Sequence, residues 1–194
     1  TFFFFFVLQA KSSYFIKFQL YNQNLLTLNK NIFTLADINP NSVALKSMKV
    51  NNEGNVVGIV GHKNNANNDY EFDKFTIFTF NRTTKTIGEL QLANTNYQYK
   101  NIISEVSTKR DVVYISVCYQ NALSRNDIGI VNKIIDFRTN NELLNSKITF
   151  NEDVLMKSQN YDFKAWQDKA ALIKPKRIVP RSDGGFVLVT EGEY

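Results

Sequence analysis

The chain has 194 residues, 43% of them apolar and 13% aromatic, with a formal charge of +5 and a pI near 9.2. This is enough apolar material for one domain or a large part of one. A single cysteine, Cys118, excludes an internal disulfide framework and a cysteine-rich metal site, and one histidine, His62, excludes a multi-histidine zinc site.

In chain order, Thr1–Ala10 is almost wholly apolar. Its length is too short to span a bilayer and no basic leader precedes it, so it reads as a buried strand and not as a secretory signal core. Phe15-Ile16-Lys17-Phe18-Gln19-Leu20 alternates, placing Ile16, Phe18 and Leu20 on one face, and leads into the polar turn Tyr21–Asn24. Four strands follow, at Ser47–Val50, Val56–Val60, Phe75–Phe80 and Ile87–Leu92. The turn Asn51–Asn55 precedes the second of them. Asn64-Asn65-Ala66-Asn67-Asn68 marks a loop, since Asn tolerates left-handed backbone and closes turns on itself. His62 stands at the mouth of that loop, where a hydrogen-bonding role is expected. Asp69, Glu71 and Asp73 bring three carboxylates into it, without the spacing or the glycine of a calcium-binding helix–loop–helix.

Four more strands are expected at Ile102–Val106, Val112–Tyr119, Ile128–Phe137 and Leu144–Phe150. The second strand of each group is continuously apolar, as for a strand covered on both faces; the third is expected to have one wetter face. Cys118, within such a run, reads as core filler. Between Glu152 and Leu172 the periodicity changes. Asn160 or Asp162 can cap a short helix carrying Phe163, Trp166 and Ala170 on one side, with Pro175 stopping it soon after Ile173. Arg181–Gly185 is a last turn before Phe186–Val189.

Two series of features keep step. Val56 to Val112 is 56 residues, Tyr21 to Phe80 is 59 and Phe80 to Phe137 is 57, whereas Val112 to Phe186 is 74. The longer interval contains the predicted helix. Units of four strands joined by short turns are what a β-propeller blade requires, because neighbouring sheets bury each other's faces. The expected fold is therefore all-β, a partial propeller of about three to four blades with a helical insertion near 155–174. The expected divisions are a partial first blade at 1–40, blades at 43–95 and 97–151, the insertion at 152–174, and a partial fourth blade at 176–194. The open ends lead us to expect a segment of a longer chain, or one completed by a partner.

The strand spacing and the Asp183-Gly184-Gly185-Phe186 turn resemble the loosely conserved β-propeller repeats of secreted and envelope proteins in bacteria. No WD or kelch signature is present. The resemblance implies a rigid scaffold that presents the loops Gly61–Asp73 and Tyr119–Asp127, and the insertion, to a protein partner. A non-catalytic binding module of the cell envelope is the expectation, periplasmic, outer-membrane-associated or secreted, as an accessory or occluding subunit of an outer-membrane secretion or transport complex.

Trp166, Phe163, Tyr161, Lys164 and Lys169 are the candidate partner-binding residues, with Trp166 as anchor; the reading ranked ahead of it is that Trp166 and Phe163 pin the helix to the sheet below. Neither a G-x-S-x-G elbow, a P-loop nor a dinucleotide fingerprint occurs, so no catalytic residue, cofactor or metal is expected. Nucleic acid is not an expected partner, and no transmembrane segment is. The basic residues Lys174, Lys176, Arg177 and Arg181 read as a solvated face. A phosphate-binding patch would require aromatics and cations to converge on one groove. The rival reading is a glycan-active enzyme or glycan-binding protein with its site partly outside this segment. It would use paired carboxylates among Asp69, Asp73, Asp127 and Asp183.

Overall fold

The computed structural model describes residues 2–10, 12–36, 39–63, 71–107, 109–123, 127–150 and 173–192. Among them are thirteen strands: β1 (Phe2–Ala10), β2 (Ser13–Tyr21), β3 (Thr27–Ala36), β4 (Val43–Val50), β5 (Val56–His62), β6 (Lys74–Phe80), β7 (Ile87–Ala93), β8 (Tyr97–Val106), β9 (Val112–Asn121), β10 (Ile128–Asp136), β11 (Glu142–Phe150), β12 (Ile173–Pro180) and β13 (Phe186–Gly192). They form four separate antiparallel sheets: β1-β2-β3, β4-β5-β6-β7, β8-β9-β10-β11 and β12-β13. The fold is all-β, as expected. No described helix is long and apolar enough to cross a membrane.

The sheets stack face to face in chain order, and the period-two geometry of a strand explains how. In β5, Val57 and Ile59 pack against the third sheet while Val56 and Val60 pack against the first. In β9, Val113, Ile115, Val117 and Tyr119 meet the second sheet, whereas Val112, Tyr114 and Cys118 meet the fourth. Successive residues thus serve different neighbours. That is why these strands read as unbroken apolar runs.

Three expectations are corrected. The third strands of the two middle sheets, β6 and β10, are buried along nearly their whole length. They are interior strands of sheets that have a neighbour on each side. Of β2, β6 and β10, the three strands of this series, β2 alone keeps strict alternation, with Tyr14, Ile16, Phe18 and Leu20 buried. Secondly, β4 and β8 begin at Val43 and Tyr97, four and five residues before the expected starts at Ser47 and Ile102. A bulge between Leu45 and Ser47, and an irregularity between Tyr99 and Ile102, break the alternation there. Thirdly, Ile173 and Lys174 belong to β12 and not to a helical insertion, and Pro175 lies within the strand beside a bulge. An edge strand accommodates proline because no ladder donor is needed on its open side. The rest of the insertion, 152–172, lies outside the described residues.

The turns β4–β5, β6–β7, β8–β9, β10–β11 and β12–β13 share one end of the stack and interlock across sheets. Asn55 Nδ2 donates to Asp111 Oδ1 at 3.1 Å, and Asn81 Nδ2 donates to the Phe137 carbonyl at 3.2 Å. The Arg110 guanidinium donates to the Ser182 carbonyl at 3.0 Å, and the Tyr114 hydroxyl to that of Gly184 at 3.3 Å. Gly54 and Gly184 take φ values of 88° and 98°, which a side chain would resist. Asp183 shapes its turn by accepting a hydrogen bond from the Gly185 N–H at 3.0 Å.

Candidate functional site

Three edge strands, each the first of its sheet, come together: β8 contacts both β4 and β12. Between them is a groove of about 170 Å³ lined by Lys46, Ser47 and Lys49 of β4, by Ile102 to Glu105 of β8, and by Lys176, Arg177 and Ile178 of β12. All three strands carry a register irregularity here. The extra residues are Lys46, Lys100 with Asn101, and Lys176. A bulge sets two residues against one on the partner strand and re-aims the side chains around it. Consecutive residues of all three strands line the groove, Lys46 and Ser47, Ile102 to Glu105, and Lys176 to Ile178, as for a space that runs along strand edges.

Four basic residues, Lys46, Lys49, Lys176 and Arg177, and one acidic residue, Glu105, are among those lining it. Lys49 is paired with Glu105 at 2.6 Å. Lys176 is paired with Glu191, whose carboxyl it holds below its usual range. The Lys46 ammonium lies 4.2 Å from the centre of the Phe72 ring. Arg177 is exposed and makes no ion pair among the described residues. Ser47 Oγ and Ser104 Oγ are 2.8 Å apart. One hydroxyl proton closes that bond, which leaves the other for a further acceptor. Lys176 and Arg177 are both exposed, in keeping with the solvated face expected of them, and both border this groove, which no aromatic residue lines among the described residues.

The loop end, opposite the interlocked turns, carries a second cluster. Tyr97 and Tyr119 stack with ring centres 4.4 Å apart, and the Lys147 ammonium lies 4.7 and 4.8 Å from their centres. Lys147 also donates to the Tyr97 hydroxyl at 2.5 Å, a contact that holds its ammonium above the ordinary lysine range. Tyr119 bonds Thr149 at 2.9 Å, and Lys147 is 4.0 Å from Asp127. Phe72 bridges to Tyr99, so the described part of the Gly61–Asp73 loop sits at this same end. There burial pushes the Tyr99 hydroxyl up to about 12.

His62, the last residue of β5, has its Nε2 2.7 Å from Thr76 Oγ1. Burial, aided by Lys74, lowers its pKa to about 4, so the folded ring is neutral at pH 7. The unfolded state then binds the proton more readily, and stability must fall as pH drops from about 6.5 to about 4. At about 1.4 kcal/mol per tenfold change in proton affinity, halved because water reaches the ring, the expected loss is roughly 1.5 kcal/mol. Urea midpoints at pH 7 and pH 4 measure it, and His62→Gln is expected to flatten that part of the slope.

Cys118 is buried, and desolvation pushes its thiol up to about 12, which suits packing and not nucleophilic attack. Asp127 and Asp183 lie at opposite ends of the stack, separated by the length of β9, roughly 30 Å at 3.3 Å per residue. That is far beyond the separation a glycosidase pair requires. Glu53 and Asp111 do meet at the turn end, where hydrogen bonding to Asp111 and its like charge raise the Glu53 carboxyl. Direct contact is closer than the roughly 5 Å of a retaining pair, and Arg138 and Asn55 tie Asp111 down. Trp166, Phe163, Tyr161, Lys164, Lys169 and Asp69 lie outside the described residues.

No protein family matches the chain, and no curated protein or solved structure resembles it measurably.

Proposed function

We propose that the chain is part of a β-propeller serving as a non-catalytic binding or scaffold module that takes a protein partner at its loop end. The observation that carries this reading is the stacking of four antiparallel sheets in chain order, with both faces of each middle sheet covered. Lys49–Glu105, Asn55–Asp111 and Asn81–Phe137 each join residues 56 positions apart. Like units packed blade on blade would produce such contacts. The loops Gly61–Asp73 and Tyr119–Asp127 leave the same end. In the second of them Leu123 is 88% exposed, an apolar side chain turned to solvent.

The partner in this reading is a component of an outer-membrane secretion or transport assembly of the bacterial envelope. The likeness in strand spacing to envelope propellers supports that step. Leu123→Asp is expected to weaken partner capture from an envelope extract at least tenfold, with the melting temperature unchanged. Equal capture by Leu123→Asp and by Lys147→Glu would overturn the reading, as would turnover of a polysaccharide by the purified chain.

A further inference from the structure

We infer that the open edge of β11 pairs with the same edge of a second copy of this chain, joining two third sheets into one continuous antiparallel sheet. β11 is the outermost strand of its sheet, and no backbone group from Leu143 to Phe150 bonds beyond the β10 ladder among the described residues. Such a row of N–H and C=O groups is a template for another strand unless charge or proline defends it. The outer edges of the first two sheets carry such charges, the exposed Lys30 in β3 and the exposed Glu89 in β7. β11 has only Glu142 and Lys147, and both are drawn back over their own sheet. Glu142 pairs with Lys133 of β10, and Lys147 reaches across to Tyr97 and Tyr119. What the strand shows to solvent is apolar: Leu143, Leu144 and Ile148 are 59%, 37% and 49% exposed.

The residues of β11 select a second copy as the occupant. Two copies of one strand pair antiparallel about a two-fold axis, which sets each residue against one an even number of positions away, so like faces meet. With Ser146 on the axis, Leu144 of each copy stands opposite Ile148 of the other. Both lie beside Ile134 and Ile130, on the face turned to the fourth sheet, which has two strands among the described residues. Asn145 meets Lys147, and no like charges are opposed. An axis at Lys147 would set that lysine against itself, and one at Asn145 would set Leu144 against Ser146. The irregularity in the β10–β11 ladder falls at Leu143, outside the paired stretch. Because each copy has one such edge to offer, the pair closes on itself.

Sedimentation velocity of the chain over a series of roughly 1–100 µM, a range that reports weak self-association, tests this. A reversible monomer–dimer equilibrium is expected. Ile148→Lys is expected to weaken it by about tenfold or more, because a charge then faces Leu144 in the joint. Leu144→Glu is expected to do the same. The two substitutions together are expected to restore the dimer, since this register sets each new glutamate against a new lysine. Ile87→Lys, on the edge strand β7 and comparably exposed, is expected to leave it unchanged. Thermal midpoints of the variants confirm folding. A chain that stays monomeric throughout would overturn the inference, as would open-ended higher oligomers. So would a dimer that Ile148→Lys leaves intact or that Ile87→Lys weakens equally, or a double variant that fails to recover.

Discussion

Replacing Phe18 by Ala is expected to cost about 3–5 kcal/mol of stability. Phe18 is fully buried, 5.2 Å from Phe33 across the same sheet and 5.2 Å from Phe80 of the second sheet, which it meets edge-on. Phe33 in turn stacks on Phe78 at 5.0 Å. Removing the ring leaves a cavity in the cluster that joins β2 to the second sheet, and neighbours fixed in strands close such a space poorly. Phe15, on the same strand but the other face, is half-buried, and its replacement by Ala is expected to cost about 1 kcal/mol or less. Urea unfolding measures both. A similar cost for the two would contradict the alternation of β2. A drop in the denaturant dependence of Phe18→Ala would show that the first sheet has come away alone.

The second large effect is expected at Asn81. Its side chain is 3% exposed and makes three bonds: Nδ2 to the Phe137 carbonyl at 3.2 Å, and Oδ1 from the backbone N–H groups of Thr83 and Thr84 at 2.8 and 3.0 Å. Asn81→Ala removes all three and leaves a buried carbonyl and two turn donors without protein partners. A loss of about 2–3 kcal/mol is expected, since an unmade buried bond costs more than a made one contributes. Asn81→Asp keeps the acceptor but not the donor. It is expected to recover the turn and lose the link to the third sheet, so its cost should lie between those of wild type and Asn81→Ala.

Strand positions were legible in the residues because apolar runs such as Val56–Val60 and Val112–Val117 have no reading but a strand covered on both sides. The alternation of β2 was legible for the complementary reason, that its second face is less covered. The first strands were not. Lys46, Lys100 and Lys176 interrupt the pattern at the irregularities, so β4 and β8 seemed to start after them. The basic groove was illegible for a related reason. It needs three edge strands, whose lysines and arginine lie 130 residues apart from Lys46 to Lys176, to be brought side by side, and only sheet stacking does that. The third strands were misjudged because the alternation at Phe15–Leu20 was extended to Phe75–Phe80, where Thr76 and Thr79 are the polar residues. In the fold Thr76 bonds His62 and Thr79 bonds Asn140, so both are buried without exposing a face.

The division of labour along β9 also limits how this protein can change length. Odd-numbered positions from Val113 to Tyr119 face one way and even-numbered ones from Val112 to Cys118 the other. Inserting or deleting one residue inside the strand would exchange the two sets, presenting each neighbouring sheet with side chains shaped for its opposite. Gains and losses of sequence are therefore shut out of β9 and left to the connections and to the edge strands, where β4 and β12 already carry an extra residue in a bulge.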